Sequence, residues 1–323
     1  MNRRWWWLAG GFLVACGGGT QSAGFRVALI TPGSIADAAW NEGAYRGLEA
    51  IRDSLGVDVS HVEARTPGEQ EEALRTYAVQ GYDLVFGHGF EFQQPAERVS
   101  AQYPKPVFIV TSGERVQGNV APLVFRIEEG TFLAGMVAGG LSRTGKIGFV
   151  GGIELPPIKR GYEGWLAGAR RLNPAIDTRV TYLNNFDDAV AGREAALAMI
   201  RVGVDMLHHN ADAAGVGLFQ AAKESRGVFV FGANADQSRL APDRVYGSAI
   251  IDLPRAFLAV AREVKEGRFT PKVESFGLAG GVIRYVPNPG LDGGVSPDLR
   301  ARVAAAADSI AAGTLSPVPV VNR

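Results

Sequence analysis

The stretch ITPGSIADAAWNEGAYRGLEAI, residues 30–51, places a carboxylate (Asp37), an indole (Trp40) and a carboxamide (Asn41) in one short turn. These groups form a set suited to recognition rather than reaction. A ring stacks on the face of a flat molecule, and an amide offers a donor and an acceptor in that molecule's plane. A carboxylate accepts from its N–H or O–H groups. Other polar or glycine-rich clusters recur along the chain: Thr31-Pro32-Gly33, Gly87-His88-Gly89-Phe90, Thr111-Ser112-Gly113, Gly151-Gly152, Asn184-Asn185-Phe186-Asp187-Asp188, Asn210-Ala211-Asp212 and Asn234-Ala235-Asp236. Any one of them reads as a turn, because Gly, Asn and Asp are turn formers. All of them at the ends of apolar runs point to a binding cleft.

Catalysis would require a nucleophile with its base, a metal cluster or a phosphate cradle. The sequence has no GxxxxGK[ST], GxSxG or HExxH. His208 and His209 are adjacent, so on a strand they point to opposite faces and do not ligate one metal. The adjacent acids Asp187-Asp188 and Glu128-Glu129 are poorly placed to share a proton and read as caps or solvated faces. No catalytic residue, metal or cofactor is expected.

The elements that must position the clusters alternate in type. Short β-rich runs (FRVALIT, DVSHVE, YDLVFG, PVFIVT, LVFRI, KIGFVG, RVTYLN, DMLHH, VFVFG and RVYGSAI) are interleaved with segments of helical period at 41–55, 68–80, 130–142, 160–172, 189–202, 214–225 and 253–266. That alternation predicts an α/β fold with parallel sheets. In a parallel sheet the strand ends share one rim, so two lobes facing each other would line a single cleft. The Gly- and Ala-rich helix at 130–142 predicts close packing on its neighbours. With 323 residues, 46% of them hydrophobic, the chain divides naturally into two lobes of ordinary domain size.

Lys plus Arg and Asp plus Glu both number 33, so there is no basic field to hold nucleic acid. The N-terminus, MNRRWWWLAGGFLVAC, has two arginines and then an apolar run much shorter than the roughly 20 residues of a membrane-spanning helix. It reads as a signal peptide, residues 1–15. The only cysteine, Cys16, follows Leu13-Val14-Ala15 as in a bacterial lipobox. Cys16 is therefore the expected lipidation site, with residues 16–24 as a flexible tether. The chain is expected in the cell envelope, anchored by lipid outside the cytoplasm.

Longer stretches carry a family resemblance. DAAWNEGAYRGLEAI, FRIEEGTFLAGMVAGGLSRTGKIGFVGG, NNFDDAVAGREAA and GANADQS resemble segments of the basic membrane protein family, substrate-binding lipoproteins of ABC transporters that include purine nucleoside receptors. The resemblance covers Phe25 to about residue 290 and implies a type I periplasmic-binding-protein fold, two Rossmann-like lobes with the ligand between them. The implied lobes are 25–126 with 249–279, and 127–248 with 280–315. By the same resemblance Trp40 takes the place of a purine-stacking Phe and Asn41 that of a base-reading amide. Phe186 supplies the ring from the opposite lobe, and Asp37 and Asp187 match motif carboxylates. Otherwise Trp40 would be a hydrophobic staple on its helix, and Phe186 a core residue.

The departures also bear on the ligand. Ser112 stands where the family often has Asp, Asn234 where nucleoside-binding members have the ribose-binding Asp, and Ile251 near an expected Lys. Losing two charged sugar partners disfavours a nucleoside relative to a nucleobase or similar neutral heterocycle. Compensating contacts are expected from Asp212, Asp236 or His88, and Phe90 and Asn210 complete the candidate ligand set. The implied partners are a small solute and separate permease and ATPase subunits. The alternatives are a ligand-sensing lipoprotein that reports to a signalling partner, and a nucleoside-processing enzyme.

Overall fold

The computed structural model describes residues 24–318; the expected signal peptide (1–15), Cys16 and all of the tether before Gly24 lie outside them. Two sheets organise the chain. The first has the order β11-β5-β4-β3-β1-β2, where β1 is Arg26–Thr31, β2 Asp58–Glu63, β3 Leu84–His88, β4 Val107–Thr111, β5 Val120–Phe125 and β11 Glu274–Phe276. All its pairings are parallel. The second has the order β12-β10-β9-β8-β6-β7, where β6 is Lys146–Gly151, β7 Asp177–Tyr182, β8 Met206–Asn210, β9 Phe229–Asn234, β10 Val245–Ile251 and β12 Ile283–Pro287. Only β12 runs antiparallel, against β10. Both faces of each sheet are covered, so central strands such as β1, β3 and β8 are almost wholly buried, with apolar runs such as residues 27–30 in β1 and 84–86 in β3.

The helices are α1 (Trp40–Leu55), α2 (Pro67–Val79), α3 (Gln93–Ser100), α4 (Ile127–Leu141), α5 (Pro156–Leu172), α6 (Ala189–Arg201), α7 (Val216–Glu224), α8 (Leu253–Lys265) and α9 (Pro297–Ala311). Their ends follow local chemistry. Thr66 and Glu69 form a capping box on α2, and Asp188 accepts from the Val190 and Ala191 N–H groups at the start of α6. α5 begins earlier than the expected residue 160, because Pro156 and Pro157 are tolerated in a first turn. The close packing predicted for 130–142 is present. A Cβ on Gly135 would lie 2.1 Å from the Trp165 carbonyl oxygen, and one on Gly168 would lie 1.9 Å from that of Phe132. Only glycine lets α4 and α5 approach so closely.

Four elements had no expected counterpart: α3, α9 and the short edge strands β11 and β12. β5 also starts before its predicted LVFRI segment and includes Pro122. Register makes this tolerable. The Leu123 carbonyl faces β4, so Pro122, one residue earlier, turns its missing N–H to the other edge, where β11 pairs only from Leu123 onward.

The chain passes between the sheets after β5, after β10, and between β11 and β12. β10 stays in the second sheet to Ile251, so the middle passage falls beyond the expected 248/249 boundary. The passages are tied together. Arg126 N–H donates to the Phe276 carbonyl, Asp252 N–H to that of Val282, and the buried Glu129 carboxylate accepts from Leu278 N–H at 2.6 Å. Strand order reverses beside β1 in one sheet and beside β6 in the other, which is where a crevice opens at the strand ends.

Candidate functional site

β1 ends at Thr31 and α1 starts at Trp40, so the turn between them is short. Asp37 fastens it by accepting from the backbone N–H groups of Ala39 (3.1 Å), Asn41 (2.7 Å) and Glu42 (3.1 Å). A carboxylate at a helix N-terminus also meets the positive end of the helix dipole. The Trp40 ring stacks on His88 with centroids 4.0 Å apart and an interplanar angle of 27°, and meets Phe125 edge-on. His88 Nε2 lies 3.1 Å from the Trp40 carbonyl, which can only accept, so the proton sits on Nε2 and Nδ1 accepts from the Thr111 hydroxyl. Burial drops the His88 pKa to about 3, keeping this backing ring neutral. His88 therefore props Trp40 from behind and does not itself line the cleft as expected.

Phe186 stands on the loop after β7. Asn185 Oδ1 accepts from the N–H groups of Asp187 and Asp188, and the Phe186 carbonyl accepts from Ala214 N–H at 2.8 Å. Those bonds tie the ring's loop to the turn that carries Asp212. At the ends of β8 and β9, Asn234 Nδ2 donates to both Asn210 Oδ1 and Asp212 Oδ1, each at 3.3 Å.

These groups meet in a cavity of about 440 Å³, within the usual range for small-ligand sites. Of the expected residues, Asp37, Trp40, Asn41, Phe90 and Ser112 line it from the first sheet's side. Phe186, Asp187, Asn210, Asp212 and Asn234 line it from the second's. Asp236 is a correction: it is exposed and accepts from the backbone N–H and hydroxyl of Ser238, outside the cavity. Ile251 is part of the wall. Glu91 and Arg65 also line it and had not been singled out, although Glu91 directly follows an expected cluster and Arg65 follows β2.

Backbone strain concentrates here. Among the described residues the non-glycine positions with positive φ are Ala38 (61°), Ser112 (58°), Asn184 (61°), Asp212 (45°) and Asn234 (64°). All but Ala38 line the cavity, and Ala38 adjoins Asp37. Such conformations cost about 1–3 kcal/mol each and collect where a binding geometry is held.

The cavity is acidic: among the described residues Asp37, Glu91, Asp187 and Asp212 face a single basic residue, Arg65. Burial, with the nearby Asp37 charge, pushes the Asp212 carboxyl well up, and only Asn234 opposes this. Glu91 is open to the cavity's solvent yet enclosed by surrounding protein, and that enclosure raises its carboxyl too. His208 and His209 do point apart. His208 sits among Phe149, Trp165 and Phe231, and His209 Nε2 donates to Gln237 Oε1. Burial lowers them to about 3 and about 4, and neither reaches the cavity.

Residues 25–297 match the family model for Bmp, the PnrA-like substrate-binding proteins of ABC transporters. The chain belongs to the Bmp family. Among Bmp relatives, basic membrane protein A2 of Borrelia garinii subsp. bavariensis is 32% identical over 286 residues, 86% of this chain and 85% of that protein. A solved ABC solute-binding protein from Aeropyrum pernix superposes with a TM-score of 0.83 at 26% identity, over 90% of this chain and 92% of that one. A second solved neighbour, described as a transcriptional activator of the comK gene from Bacillus halodurans, gives 0.77 at 25% identity over 91% and 100%. The fold is thus the type I periplasmic binding-protein fold. A Bmp protein is a solute-binding component of an importer, working outside the cytoplasm.

Proposed function

We propose that this chain is a lipid-anchored receptor that closes on a small flat heterocycle, a nucleobase or nucleoside, and hands it to a permease driven by separate ATPase subunits. The carrying observation is that Trp40, at the start of α1, and Phe186, on the loop after β7, line one cavity from the two sheets' sides with the Asn41 amide. Two rings grip a flat ligand by its faces, and the amide reads its edge. On the sugar side the same cavity offers Asn234, already engaged with Asn210 and Asp212, and the apolar Ile251. The two charged partners of a ribose are missing there. Charge-assisted hydrogen bonds contribute roughly 1.5–3 kcal/mol each, so a base binds at least as well as its nucleoside.

The test is calorimetric titration with adenine and adenosine of the wild type and of the double variant Asn234→Asp with Ile251→Lys. The wild type favours the base, and the double variant moves toward the nucleoside. A wild-type preference for adenosine of more than about tenfold, roughly 1.4 kcal/mol, would return the chain to a nucleoside receptor. One observation favours a sensing role: the Bacillus halodurans neighbour is described as a transcriptional activator. Co-purification with a permease separates transport from sensing.

A further inference from the structure

The charge of the cavity wall narrows the ligand class further than its rings do. Arg65, the only basic residue of the lining among the described residues, is taken up by Glu63 (2.5 Å) and Asp187 (3.4 Å). Asp37 spends both oxygens on three backbone N–H groups of its own turn. Asp212 and Glu91 remain, and neither has a Lys, Arg or His partner within ion-pair distance among the described residues. Asp212 is 8% exposed and held at φ 45°. Its Oδ1 accepts the Asn234 amide, and no hydrogen bond reaches its Oδ2 among the described residues. Asn41, 5% exposed on the opposite wall, likewise has an Oδ1 with no partner. A buried carboxyl held in that way, with no counter-charge, is pushed toward its neutral form unless a cation meets it.

We infer that the solute is a flat heterocycle bearing a positive charge, as an amidinium, guanidinium or protonated amine, which Asp212 accepts at the second-sheet end of the cavity while the rings of Trp40 and Phe186 hold its faces. This rests on the receptor reading above and alters one expectation: the loss of the two sugar partners pointed to a neutral ligand, whereas the unpaired carboxylates select a cationic one. Glu91 adds to the same negative field from the first-sheet side. Asn234, whose amide also donates to Asn210, holds the Asp212 carboxylate through Oδ1, so its other oxygen is presented with little reorganisation on binding.

The probes are a purine-sized isosteric pair, benzimidazole-2-carboxamidine and benzimidazole-2-carboxamide, which differ in charge and not in shape. Each is titrated calorimetrically, with Trp fluorescence as a second readout, into the wild type, Asp212→Asn and Asp212→Gly. The glycine variant suits the left-handed backbone and keeps the experiment decisive if the asparagine variant folds poorly. The wild type should prefer the amidinium by about tenfold or more, the scale of one charge-assisted hydrogen bond. Both variants should lose that preference, the amidinium falling by about tenfold or more relative to the carboxamide in the same variant. Equal binding of the two probes to the wild type overturns the inference and leaves the flat-solute receptor standing. So does a preference that survives in both variants, or a matching loss of both probes, which would make Asp212 a neutral donor. Binding of neither probe overturns the flat-solute reading itself, and the inference with it.

Discussion

Gly152 offers a way to move a ligand-gripping ring without touching the ligand. A Cβ at this position would fall 2.2 Å from Cδ1 and Cε1 of Phe186 and 3.0 Å from the Asn185 carbonyl oxygen. Carbon atoms pack at about 3.5–4.0 Å, so Gly152→Ala must drive the ring back by more than about 1 Å. The backbone itself accepts alanine, since Gly152 is not among the positive-φ positions. The ring has little slack, because its carbonyl is held by Ala214 N–H and its loop by Asn185. If Phe186 contributes a full stacking face, about 1–3 kcal/mol of affinity is at stake, or about 5- to 150-fold in Kd. The assay is calorimetric titration with the solute that co-purifies with the wild type, beside thermal melts showing that the variant is folded. A folded Gly152→Ala protein with wild-type affinity would refute the reasoning, since its ring cannot occupy the same place.

His88→Leu removes the donor to the Trp40 carbonyl and the stacked backing ring, so affinity should fall by about 0.5–1.5 kcal/mol although His88 does not line the cavity; unchanged calorimetric affinity would show that Trp40 needs no prop. The depressed histidines set a pH dependence. The folded state keeps His208 neutral down to about pH 3 while the unfolded chain protonates near 6.5, so its contribution is intact above about pH 6.5 and is lost as pH falls. By pH 5 the loss is about 2 kcal/mol. The raised carboxyls of Asp212, Glu91 and Glu129 carry the opposite sign, their contribution being lost as pH rises through their folded values. His208→Phe isolates one group: urea melts at pH 7.5 and 5 should show the variant losing about 2 kcal/mol less than the wild type, and equal losses would contradict the assignment. Metabolic labelling with a fatty acid should tag the wild type and leave Cys16→Ser unlabelled; label in both would remove the anchor from Cys16.

Periodicity and strand-end chemistry carried most of the architecture. The interleaved apolar runs located the central strands, and the polar clusters after them supplied most of the cavity wall. Two identical tripeptides show where that reading ran out. Asn210-Ala211-Asp212 and Asn234-Ala235-Asp236 both follow strands, yet Asp212 enters a short 3-10 turn and is buried against the cavity, while Asp236 turns to solvent and binds Ser238. What separates them is the chain that follows, small residues leading into α7 in one case and Gln237-Ser238 in the other. His88 was misplaced for a related reason. Alternation along β3 does not tell which buried face meets the cleft when both faces are covered. Glu91 was missed because Phe90–Phe92 forms a single 3-10 turn, which brings it to the cleft just past the glycine signal. β11, at three residues, is too short for a period to register.

Native mass spectrometry of the protein as purified, after exposure to a small-molecule extract of the producing cells, addresses the two-ring cleft most directly when wild type, Trp40→Ala and Phe186→Ala are measured together. The wild type should carry one small molecule per chain, released as a planar heterocycle on denaturation, and both folded variants should carry much less of it. A wild type that retains nothing, or two ring variants that retain the same molecule at the wild-type level, would contradict the account.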